Sequence, residues 1–229
     1  KALPFAAALV LALLPLGTQS TYLHHVMVLW MLYALLALSL NVIIGYLGEL
    51  SFGHAAFFGL GAYASAILTM QTGVPVWLAL IAAGLVAGLF GFVIGYVSLR
   101  IVGPQFAILT LGFGSIIYTV TNYWDDLTRG PMGINNIPPV TVPGVGPLGE
   151  ARDYYFVVLA CVLAFAYACH SLMRSRTGRA FLAVRENAPL AASLGIDVFR
   201  TKLLGFVAAT VVAGIAGGLY AHYLRVITP

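Results

Sequence analysis

Side chains able to do chemistry are few in this sequence, and they collect in two stretches. The first is LSLNVIIGYLGELSFGHAAFFGLGAYASAILTM, residues 38–70, where Asn41, Glu49, Ser51 and His54 gather around Gly45 and Gly48. Polar groups inside an apolar segment are costly unless they face protein or water. These four are therefore candidates for a substrate pathway or gate, against an interfacial or structural role. Glu49 and His54 are near enough in sequence to share one polar turn, although a proton relay would need more ionisable groups deep in other segments. The second stretch is RSRTGRAFLAVRENAPLAASLGIDVFRTK, residues 174–202, which carries six of the chain's 11 Lys and Arg.

The second stretch has local helix signals. Arg179–Arg185 can form one or two turns. Asn187 suits the N-cap of a further short helix with Pro189 in its first turn, and Gly195 suits the left-handed residue past its end. Leu182, Val184, Leu190 and Leu194 place apolar knobs among Arg185 and Glu186. So short an amphipathic helix is marginal alone in water, so it is expected to dock, either on the membrane surface or on another protein.

Other chemistries find little support. The sequence has no GxxxxGK[ST] phosphate loop, G-x-S-x-G elbow or HExxH pair, and its carboxylates lie mostly in one loop without a catalytic partner. An enzyme is not indicated. His24 and His25 have no third metal ligand nearby and read as interfacial histidines. Cys161 and Cys169, eight residues apart, stand about 12 Å apart on a helix, too far for a disulfide.

The elements that position these residues follow from composition. The chain has 229 residues, 61% of them hydrophobic and only 8% charged, against about 25% charged in soluble domains. So few charges cannot cover a soluble surface; lipid is the alternative solvent. The net charge of +4 is what cations collected on one membrane face produce, and no cationic face interleaved with aromatics points to nucleic acid.

Apolar segments near the span length of about 20 residues are Ala2–Gly17, Val26–Ile44, Leu50–Met70, Val74–Val97, Pro104–Thr121, Tyr154–Leu172 and Leu203–Leu224. The expectation is one all-α, polytopic membrane domain over residues 1–229, with about six to seven transmembrane or re-entrant helices. Ala2–Gly17 reads as a retained span, with a cleaved signal as the alternative. Leu50–Met70 is Gly/Ala-rich, and Pro104–Thr121 follows a Gly-Pro break and holds Gly112 and Gly114; both are expected to be short, broken or re-entrant. Alternate threading puts Lys1, Arg100 and the six cations of 174–202 on one side, and Arg129, Arg152 and Arg225 on the other. The positive-inside bias makes 174–202 cytoplasmic and the loop 122–153 external. Pro and Gly in that loop indicate turns, and it could serve as a docking surface.

Gly84, Gly88, Gly91 and Gly95 share one helical face and form a strip for close helix packing. Ala209, Ala213 and Gly217 form a weaker one.

Three blocks in order carry a family resemblance. NVIIGYLGELSFGHAAFFGLGAYASAIL and GRAFLAVRENAPLAASLGIDVFRTKLLGFVAATVVAGIAGGLYA resemble the branched-chain amino acid permeases of ABC transporters, of LivM/LivH type. TLGFGSIIYTVTNYWDDLTRGPMGINNIPP, with its W-D-x-L-T-x-G-x-x-G pattern, is similar to the LivM branch in particular. The resemblance implies one half of a pore in the bacterial inner membrane. A second permease subunit would complete it. Two cytoplasmic ATP-binding subunits would hold ATP and Mg, and a periplasmic protein would deliver the amino acid. It also implies that Gly178–Gly195, with Gly178, Arg179, Leu182, Arg185, Glu186, Asn187, Leu190 and Gly195, couples to the ATPase. Such permeases continue through further spans, so the chain is expected to be C-terminally incomplete. Urea and short-amide permeases have similar blocks, and an ion-coupled secondary transporter is a more distant alternative.

Overall fold

The computed structural model describes residues 15, 20–101, 103–142, 146–148 and 150–229. Of the expected first span, Ala2–Gly17, all but Pro15 lies outside the described residues, as does Lys1. Helix α1, Thr21–Asn41, runs without interruption into a wider π-helical segment, Val42–Leu47. Gly48, at φ +74°, ends it, a backbone conformation that glycine adopts without penalty. After an irregular stretch come α2, His54–Thr72, and α3, Val76–Ser98. Helix α4, Pro104–Tyr123, has its proline in the first turn, where no intrahelical N–H is lost. The short α5, Asp125–Thr128, leads into the loop before α6, Ala151–Arg174. Two short helices follow, α7, Arg176–Glu186, and α8, Ala188–Ser193, and then α9, Val198–Leu224.

Among the described residues, five segments are long and apolar enough to cross a membrane: Thr21–Leu47, Val76–Ser98, Pro104–Tyr123, Ala151–Arg174 and Val198–Leu224. The chain is an all-α, multi-pass membrane protein. Helix α2 falls outside this set, and it begins at His54 rather than near Leu50. Helix α4, expected to be a short, broken or re-entrant segment, is continuous through Gly112 and Gly114. A glycine in a helix costs only about 1 kcal/mol, and no proline interrupts the segment after its first turn. The stretch 174–202 is not a free loop either: α6 runs through Arg174, and α9 starts at Val198, capped by Asp197 Oδ1 accepting from Arg200 N at 3.0 Å.

Helix α9 is the axis of the bundle, with α2 and α3 against it. Of the α3 glycines, a Cβ on Gly88 would lie 2.6 Å from Val211 and one on Gly95 2.9 Å from Leu203 and Phe206. Gly84 faces Ile215, and Gly91 faces Thr210. Where lipid tails match Leu in polarity, such close van der Waals contact holds helices together. On the other side of α9, Gly61 of α2 lies against the Gly214 backbone, and Gly217 against the Phe58 carbonyl. Helix α6 joins through Tyr154, Tyr155, Val158 and Leu159, which pack with Val28, Leu32 and Leu35 of α1.

The loop 122–153 is more ordered than its turn residues suggest. Strands β1, Ile134–Asn135, and β4, Val226–Ile227, pair antiparallel, as do β2, Thr141–Val142, and β3, Gly146–Pro147. Ile134, Ile137, Val140 and Leu148 are buried, and Trp77 Nε1 donates to Thr141 O at 2.7 Å. The loop therefore closes one end of the bundle.

Candidate functional site

The two chemistry-bearing stretches meet at the other end. The π-helical widening leaves the Gly45 carbonyl free to accept from Arg185 Nη1, while a Cβ on Gly48 would lie 3.0 Å from Arg185 Cγ. One residue later, Glu49 Oε1 accepts from Lys202 Nζ at 2.5 Å. Both residues are buried, at 8% exposure each. Residues 45–49 are thus gripped twice, by α7 through Arg185 and by the start of α9 through Lys202.

Beyond the grip the chain turns back into the bundle. Phe52 N donates to Thr110 Oγ1 at 3.1 Å, and a side chain on Gly53 would collide with the Thr110 carbonyl. Irregular backbone at membrane depth is tolerated where protein covers it, and α4 is the cover. His54 Nε2 lies 2.8 Å from Ser39 Oγ. Ser39 directs its one proton to Leu36 O at 2.7 Å, so Nε2 carries the hydrogen and donates. Nδ1 is then an acceptor, and it has no partner among the described residues; neither does Ser51 Oγ.

The four candidates of the first stretch therefore separate. Glu49 and His54 each have a partner on another helix, Lys202 for the first and Ser39 for the second. Asn41 sits exposed on the last turn of α1, with its amide over Gly45. The helical segment ends at Gly48, with Gly45 still within it.

In the second stretch, Ser175 Oγ accepts from Gly178 N at 3.2 Å and caps α7. A Cβ on Gly178 would collide with the Leu172–Met173 backbone, and Phe181 and Val184 are buried beneath α7. Asn187 Oδ1 accepts from Leu190 N at 3.0 Å to start α8, and Gly195, at φ +83°, follows its end. Leu182, Leu190 and Leu194 face outward, at 39%, 57% and 75% exposure. Arg179 and Glu186 are exposed beside them. Val184 alone of the four expected knobs points inward.

Sequence reasoning missed Lys202 as the partner of Glu49, and Ser39 and Thr110 as partners of the re-entrant stretch. Lys202 directly precedes the apolar segment Leu203–Leu224 beside Arg200, and no local signal pairs it with Glu49. Sequence reasoning also left unused His222, whose Nδ1 donates to Pro138 O at 2.6 Å and whose Nε2 meets Ser65 Oγ at 2.8 Å. His25 Nδ1 meets Tyr223 Oη at 2.8 Å, and His24 Nε2 lies 3.0 Å from Pro15 O. Between α2 and α4, with α9 behind, is a cavity of about 570 Å³ that runs from Phe52 and Gly53 past Tyr63 and Ser115 to Tyr220 and Ile227.

The family model for the permease component of branched-chain amino acid transport systems matches residues 22–229. The high-affinity branched-chain amino acid transport system permease protein LivM of Escherichia coli (strain K12) is 34% identical over 223 residues, 88% of this chain and 52% of the relative. LivH of the same organism is 27% identical over 215 residues, 86% of this chain and 68% of the relative. The guanosine ABC transporter permease protein NupQ of Bacillus subtilis (strain 168) is 24% identical over 188 residues, 76% of this chain and 59% of the relative. The chain spans about half the length of LivM. No solved structure matches it.

Proposed function

The chain belongs to the branched-chain amino acid transport permease family, and from that membership we propose that it forms one half of the pore of an ABC importer for branched-chain or related amino acids. A second permease subunit completes the pore in the bacterial inner membrane. Two ATP-binding subunits sit on the side of residues 174–202, the cytoplasmic side, and hydrolyse ATP with Mg. A periplasmic binding protein delivers the amino acid to the opposite end. This chain supplies no catalytic group.

The observation that carries this reading is the α7–α8 pair. It is fastened to the bundle through Gly178, Phe181 and Arg185, yet it presents Leu182, Leu190 and Leu194 outward at the cationic end. An exposed apolar knob set of this kind fits a groove on a partner. Movement of α7 then pulls on Gly45 through Arg185, and movement of α9 pulls on Glu49 through Lys202. Both reach the irregular stretch whose far end, Phe52–Gly53, closes one end of the cavity.

The test is substrate-stimulated ATPase activity of the reconstituted complex with leucine, valine, lysine, urea and guanosine. Stimulation by leucine and valine is expected; stimulation by urea or guanosine alone sinks the amino acid reading. Arg185→Met is expected to keep the ATPase subunits bound while lowering transport per ATP hydrolysed. Full transport by that variant would remove Arg185 from the coupling route.

A further inference from the structure

We propose that the α2–α4 cavity holds a net-neutral amino acid with an apolar side chain during passage, and that Gly59 sets how large that side chain can be. The inference rests on the permease reading above and names the place and the selection rule.

The cavity volume, about 570 Å³, lies within the roughly 300–1,000 Å³ of small-molecule sites. No Asp, Glu, Lys, Arg or His side chain lines it. A solute with a net charge would find no counter-charge there, which is costly away from water. A zwitterion differs, because hydroxyls can donate to its carboxylate and accept from its ammonium. Both roles are present on the wall. Tyr63 is 6% exposed, and its hydroxyl has no partner among the described residues, so its proton is available to a carboxylate. Ser115 and Thr119 direct their protons to the carbonyls of Leu111 and Ser115, at 3.3 and 2.9 Å, and keep lone pairs for an ammonium.

The remaining wall is apolar and, on α2, small: Ala55, Ala56 and Gly59. Gly59 differs from its neighbour Gly61. A Cβ on Gly61 would strike the Gly214 backbone, so that glycine is required for packing, whereas a Cβ on Gly59 meets nothing within 4 Å. The space over Gly59 is therefore not used by the fold, and a side chain added there enters the cavity without disturbing the bundle.

The complete complex, reconstituted in liposomes with its binding protein, tests this. Gly59→Leu is expected to assemble with the other subunits and to reduce leucine uptake at least about tenfold. Gly59→Ala is expected to shift preference from leucine toward alanine by roughly tenfold, the usual discrimination for a methylene-sized change in a pocket. Tyr63→Phe, which removes a hydroxyl the fold does not use, is expected to raise the leucine concentration needed for half-maximal uptake. In a Cys161→Ala/Cys169→Ala background, Ser115→Cys is expected to react with a membrane-impermeant thiol reagent and to be protected by leucine but not by lysine or glutamate. Absence of labelling, as lipid or a further part of a longer chain seated in the cavity would produce, overturns the proposal; so does labelling without protection. If the unaltered complex takes up leucine and Gly59→Leu does so equally, this site fails while the permease reading stands. If the unaltered complex responds to no amino acid, the reading beneath it fails as well.

Discussion

At the scale of single residues, the buried Glu49–Lys202 pair has the largest energetic consequence. Two charges removed from water regain little net stability from each other, but removing one partner strands the other. Lys202→Met is therefore expected to destabilise the protein by about 3–5 kcal/mol, read as a lowered melting temperature in detergent. Adding Glu49→Gln should recover most of that loss, because two neutral side chains then occupy the space. A double variant that is as unstable as the single one would mean that the pair matters through its shape rather than its charge. A smaller effect belongs to Ser39. With alanine there, His54 Nε2–H is left without its acceptor in a buried position, at a cost of about 1–3 kcal/mol. The same melting measurement would detect it.

The α7–α8 pair decides the behaviour at the scale of elements. Each helix is short, so its caps are a large share of its stability. Asn187→Ala removes the Oδ1 acceptor from Leu190 N and is expected to cost about 1 kcal/mol, seen as faster amide exchange confined to 188–194. Leu190→Asp with Leu194→Asp tests a different property. Both side chains are exposed, so the fold should be unaffected. Co-purification of the ATP-binding subunits should fall at least tenfold; unchanged recovery would place the partner elsewhere. The element boundaries were only partly legible. Asn187, Pro189 and Gly195 announced α8 because capping and stop signals act locally. The extension of α9 back to Val198 was hidden, since Arg200 and Lys202 look like loop residues until Glu49 is seen opposite the second of them.

For the whole molecule, the central fact is how closely α9 approaches both α2 and α3. Gly88→Leu is expected to wedge α3 away from Val211, giving low yield of folded protein and rapid proteolysis. The contrast is Gly59, whose substitution should leave the fold intact. Both glycines lie in Gly-rich apolar helices, and sequence spacing alone does not separate them. Charge distribution does survive the change of scale: Arg100 stacks on Tyr96 and Phe199 at the end that holds 174–202, while Arg129, Arg152 and Arg225 lie on elements at the opposite end.

Composition and periodicity by themselves determined that the chain is helical and lies in a membrane, because 61% hydrophobic residues with 8% charged leave no other solvent. The three ordered blocks determined the family, since they record residue identity and need no geometry. What only the tertiary structure decided is which polar group meets which. Glu49 and His54, five residues apart, turn to different helices because the irregular stretch between them carries Glu49 to Lys202 of α9 and His54 to Ser39 of α1. Lys202 lies 153 residues from Glu49, and no local rule links them. The cavity was likewise invisible in sequence, being a property of the space that α2, α4 and α9 leave between them.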